Sequence, residues 1–227
     1  MNRTLICTAA TALVAAAPLH ASTFKGRIEE STLNVDQEQN PASVFKSFGN
    51  SHGLRLGQNQ YPGYTIEDTL QTKYRYSPID VNVGEEFEMS FFNFWNGKTI
   101  DNTAPTTFEL GVNFDFLQPY LAEDKLTFDL LFVDSAGTNG DYIKLPENLL
   151  SKETFAIDEA KYAVELTGLK WDGKSDKYSE LKTKSAYSNN DFSLFARFVT
   201  VPEPGTVVLV SLGVLAIAFD RRKKRSH

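Results

Sequence analysis

Phe108, Leu110, Val112, Phe114 and Phe116 alternate with Glu109, Gly111, Asn113 and Asp115. Period two sends successive side chains to opposite faces of an extended chain, so this segment reads as a half-buried strand, apolar on one side and wet on the other. Leu126, Phe128, Leu130 and Phe132 repeat the pattern. The stretch from Asp134 to Asp141, DSAGTNGD, then separates them from YIKLP. Glycine and Asx residues between two apolar runs predict a hairpin. Further strand candidates lie at 24–30, 43–48, 53–57, 74–83, 87–95, 154–158, 163–171 and 191–201. Only 147–155 and 157–165 carry a hint of helix, and both are short. Many short strands with turn signals between them predict an all-β fold, an antiparallel β-sandwich of jelly-roll-like type. The 17 phenylalanines suit it, because aromatic rings fit a pleated, half-buried surface.

Both ends of the 227-residue chain differ from this middle. Arg3, a short apolar run and a small-residue exit at Ala21 and Ser22 read as a secretory signal peptide over residues 1–21. Residues 22–200 then form one domain, long enough to bury a sizeable core. The formal net charge is −6, although five of the 23 basic residues are Arg221, Arg222, Lys223, Lys224 and Arg225. The exported domain is therefore more acidic than the whole chain, which argues against nucleic acid as a partner. The chain's lone cysteine, Cys7, falls inside the signal, so neither a disulfide nor thiol chemistry is expected in the domain.

The composition breaks at Val201. Pro202-Glu203-Pro204 precedes an apolar run at 206–219, and the basic cluster follows. Fourteen helical residues span about 21 Å, against a hydrocarbon core of about 30 Å, so the run is a marginal transmembrane helix. The basic cluster holds the C-terminus in the cytoplasm and leaves the domain outside. The two prolines keep Glu203 in an extended, readable stretch.

These three parts in order resemble the PEP-CTERM sorting signal of Gram-negative bacteria, assigned to residues 201–227. The resemblance implies export, recognition by an exosortase, transient residence in the inner membrane, loss of the tail and delivery to the cell surface or extracellular matrix. Upstream, residues 81–100 resemble the block shared by exported choice-of-anchor proteins of the THxN group. Val83, Gly84, Phe87, Phe92 and Asn96 agree, while Asn93 and Phe94 replace the Thr and His. That resemblance implies a β-sandwich and no assigned chemistry.

The chain offers little for catalysis. His52 is the domain's one imidazole, so neither a Ser-His-Asp arrangement nor a histidine-rich zinc site can be built. Glu86 and Glu88 share one strand face, but such a pattern equally describes a solvated face. No enzyme is expected and no cofactor is required. Calcium is the one ion with a candidate site: Asp134, Asn139 and Asp141 place oxygen ligands in one loop with two glycines, although Asx-Gly loops are chiefly hairpin chemistry. Tyr61, Tyr64, Trp95 and Trp171 lie in or beside polar, glycine-containing stretches and could stack on a sugar, whereas the competing expectation has both tryptophans filling the core. The leading expectation is a structural or adhesive role at the cell surface, in exopolysaccharide or biofilm. A carbohydrate-binding module comes second and a polysaccharide-acting enzyme third.

Overall fold

The computed structural model describes residues 23–201 apart from 37, 40–43, 49–50, 59–67, 74–77, 101–102, 120–123, 136–139, 158–159 and 185–186. The expected signal peptide with Ala21 and Ser22, together with Tyr61, Tyr64, Asn139 and the tail from Pro202 onward, lies outside the described residues.

Thirteen strands follow one another along the described chain: β1 (Thr23–Asn34), β2 (Val44–Phe48), β3 (Ser51–Leu56), β4 (Asp68–Lys73), β5 (Pro78–Asn82), β6 (Glu86–Asn96), β7 (Thr107–Gln118), β8 (Asp124–Val133), β9 (Tyr142–Lys144), β10 (Phe155–Ile157), β11 (Ala160–Trp171), β12 (Glu180–Lys182) and β13 (Ser188–Val201). They form a six-stranded sheet, β12-β9-β8-β7-β1-β5, and a seven-stranded sheet, β10-β11-β13-β6-β4-β3-β2. Every strand pairing is antiparallel. The fold is thus the all-β antiparallel sandwich that the period-two runs predict. Among the described residues there is no helix, and none is long and apolar enough to cross a membrane.

The two helical hints are corrected. Ile157 closes β10 and residues 160–165 enter β11, where Tyr162, Val164 and Leu166 point into the core. Residues 147–155 run irregularly until β10 begins at Phe155. Charged residues between apolar ones imitate a helical stripe, but the alternation across Tyr162, Val164 and Leu166 prevails once β13 pairs alongside.

Phenylalanines close the space between the sheets. Phe24 of β1 stacks on Phe198 of β13 at 4.1 Å between ring centroids, and Phe198 stacks in turn on Phe87 at 4.9 Å. Phe114, Phe116 and Phe155 surround the same ring. Phe94 of β6 meets Phe132 of β8 at 5.7 Å towards the other end. Such pairs add to area burial and fix how the two sheets sit on each other.

The strand directions give the sandwich two distinct poles. At one, β1 begins with Thr23 opposite Asn82, β7 ends with Gln118 opposite Lys25, and β13 ends with Val201 opposite Lys161. Gly84 makes the β5–β6 turn there with φ of 85°, a left-handed conformation glycine adopts freely, and its N–H donates to Phe198 O at 2.8 Å. The opposite pole collects the starts of β4, β9 and β13 and the ends of β6, β8 and β12.

Candidate functional site

The second pole carries the chemically unusual residues. Asp68 opens β4, which β6 draws into the sheet through the pairing of Thr69 with Trp95. This places the Asp68 carboxylate, 2% exposed, under the turn that follows β6. Gly97 N–H donates to Asp68 Oδ1 at 2.7 Å. Asp134 and Asp141 arrive on the loop between β8 and β9, which pair antiparallel as the hairpin pattern requires. Ser135 N–H donates to Asp141 Oδ1 at 2.8 Å. One carboxylate oxygen from each of Asp68, Asp134 and Asp141 lies within 4.8 Å of the others.

Their surroundings fix this geometry. Thr183 N–H donates to Asp141 O, and Asp141 N–H donates to Thr183 Oγ1, both at 2.8 Å. Asn96 is buried and donates from Nδ2 to Thr183 Oγ1 at 2.8 Å and to Lys184 O at 2.9 Å. Gly140 must lack a side chain, because a Cβ there would lie 1.8 Å from Thr183 O. Asn190, also buried, accepts from Lys184 N–H at 2.8 Å and completes the polar layer.

Three clustered acids cannot all ionise cheaply. Burial, followed by the Asp141 charge, pushes the Asp68 carboxyl from the ordinary 3.8 to about 8; Gly97 N–H opposes the shift and Asp134 adds to it. Burial, followed in the opposing sense by the Ser135 N–H and then by the Asp134 charge, leaves Asp141 raised to about 6. Thr99 Oγ1 stands 2.8 Å from Asp134 Oδ2 and 3.4 Å from Asp68 Oδ2. Its single proton goes to the nearer oxygen, so a protonated Asp68 can donate to Thr99, and Thr99 to Asp134. The cluster can therefore take a proton or a hard cation, for which carboxylate oxygens are the fitting ligands.

Of the three sequence-predicted calcium ligands, Asp134 and Asp141 are brought together, and Asn139 lies outside the described residues. Asp68 is the member that sequence reasoning missed. Its one signal was an acid opening an otherwise unremarkable polar segment.

The aromatic candidates separate. Trp171 pairs with Phe192 on the inner face and meets its ring edge-on at 6.3 Å, so it packs against the core. Trp95 lies half-buried on the outer face of the seven-stranded sheet, opposite Asn189 and Thr69. Beside it, Asn93 donates from Nδ2 to Asp191 Oδ1 at 2.7 Å, and Gln71 pairs across from Asn93. The two tryptophans thus share no platform.

Glu86 is ion-paired with Lys177, and that hydrogen bond leads in holding its carboxyl below the ordinary range. A groove of about 280 Å³ between β1, β7 and β8 is bridged by Lys152, whose Nζ lies 2.9 Å from Glu109 and 2.8 Å from Asp129.

Residues 200–223 match the PEP-CTERM protein-sorting motif. No curated protein matches the chain. The motif is the mark of exported proteins processed by an exosortase, and it begins inside β13, which runs to Val201.

Proposed function

We propose that the protein is a non-enzymatic component of the cell surface or exopolysaccharide matrix of a Gram-negative bacterium, with a structural or adhesive role. Its tail rests in the inner membrane until an exosortase removes it. The observation that supports this reading is the sorting motif at 200–223, joined directly to the last strand of a two-sheet sandwich. Expression in the native host, fractionation and intact-mass measurement test it. The mature protein should be found outside the inner membrane without its basic tail.

A second reading, contact with a polysaccharide, is favoured by the outer face around Trp95. A half-buried indole beside Asn93, Asn189, Asp191 and Gln71 offers an apolar surface next to planar hydrogen-bonding groups, the combination a sugar ring uses. Screening the domain on a glycan array should give hits that Trp95→Ala abolishes and Trp171→Phe retains. No hits with the intact domain would leave the structural role alone.

Calcium at Asp68, Asp134 and Asp141 belongs to the same proposal. The arrival of Asp68 from β4 favours it, since that residue adds a third carboxylate to the loop pair. Millimolar calcium should then raise the melting temperature at neutral pH, and Asp68→Asn should abolish the rise. An unchanged melting temperature would mean the cluster holds protons only.

A further inference from the structure

The chain leaves the sandwich with very little slack. Thr200 pairs with Tyr162 and Val201 with Lys161, so among the described residues the sheet holds the chain as far as Val201. The apolar run begins at Thr206, leaving Pro202, Glu203, Pro204 and Gly205 between the two. Four residues reach at most about 14 Å when fully extended. The sandwich is much longer than that: β7 alone has 12 residues and spans about 40 Å. A folded domain on so short a tether cannot turn freely above a bilayer that holds the run.

Which part then faces the lipid is decided by where the chain ends. Val201 lies at the pole that also holds Thr23, the start of β1, and the stacked rings of Phe24 and Phe198 bind these two terminal strands together. Around this pole stand Leu117, 69% exposed, and the exposed Lys161, while Lys25 is ion-paired with the exposed Asp80 at 3.2 Å. An exposed leucine and a lysine at one pole suit a phospholipid surface, the lysine for its headgroups and the leucine for the interfacial layer. The buried acidic cluster of Asp68, Asp134 and Asp141 occupies the opposite pole.

We infer that, while the tail is in place, the sandwich stands on the membrane by its Thr23–Val201 pole, with Leu117 and Lys161 against the lipid and the acidic cluster pointing away. This rests on the reading of the tail as a membrane segment. The processing enzyme must then work beside this pole.

The experiment uses the tail-bearing chain with Pro202, Glu203 and Pro204 changed to alanine, bound to phosphatidylethanolamine–phosphatidylglycerol vesicles. A fluorophore is attached through Leu117→Cys at the near pole or Ile100→Cys at the far one, both exposed positions. Spin-labelled lipid headgroups serve as the quencher. Quenching should be at least about fivefold stronger at position 117, given the pole separation of about 40 Å. Inserting 20 Gly/Ser residues after Val201, a coil of about 25 Å root-mean-square length, should cut the quenching at 117 at least about twofold. Equal quenching at the two positions, or a 117 signal unmoved by the spacer, overturns the orientation alone. A chain that does not float with the vesicles overturns the membrane reading of the tail, and the orientation with it.

Discussion

At the scale of single residues, the acidic pole gives the sharpest expectation. Asp68 and Asp141 have folded-state values raised to about 8 and about 6 above the ordinary 3.8. The folded state therefore holds protons that the unfolded chain has released. The stability this contributes is complete below about pH 4 and is lost as the pH rises through about 6 and then about 8. Glu86 is shifted the opposite way, so its effect falls below this window. In chelator, the melting temperature should decline from about pH 5 to about pH 8. Asp68→Asn should flatten that decline and gain on the order of 2 kcal/mol at the upper end, keeping an acceptor for Gly97 N–H. A wild type whose melting temperature rises across the window would contradict the assigned burial and repulsion. Gly140→Ala should lower stability at every pH, because its Cβ meets Thr183 backbone rather than a movable side chain. Of this pole, the sequence shows Asp134 and Asp141, since a Gly/Asx-rich loop advertises itself. Asp68 is silent until β4 pairs with β6, because the contact depends on sheet order and not on local spacing.

Among the elements, legibility follows the inner face of each strand. The runs of β6, β7, β8 and β13 are apparent because phenylalanine and leucine recur on one side. Strand β4 escapes notice because its inward positions are Asp68, Leu70 and Thr72, two of them polar. Thr72 settles its hydroxyl by donating to Ser31 O at 3.0 Å. Strand β12 has three residues and one buried side chain, Leu181, too short for any period to register. The aromatic layer should dominate the energetics. Phe198→Ala removes a ring that touches Phe24, Phe87, Phe114, Phe116 and Phe155, and should cost about 3–5 kcal/mol in urea unfolding. Phe195→Ala, half-buried on the outer face beneath Lys170 and Lys177, should cost about 1 kcal/mol. Equal losses would mean the sheets are not held together through Phe198.

For the whole molecule, the boundary between domain and signal is set by β13. The composition changes at Val201, yet Val201 still pairs with Lys161, so the strand continues one residue past the Thr200 limit expected for the domain. A chain ending at Val201 should fold, remain soluble and give a β-dominated circular dichroism spectrum. One ending at Phe195 loses Ala196 and Phe198 from the core and should not fold. The export-and-sorting reading is tested most directly by the intact mass of the mature protein recovered from the native host. A mass that begins at Ser22 and lacks Arg221, Arg222, Lys223, Lys224 and Arg225 is expected, with the protein outside the inner membrane. A mass that retains those five basic residues, with the protein still in the inner membrane fraction, would make the tail a permanent anchor and contradict sorting.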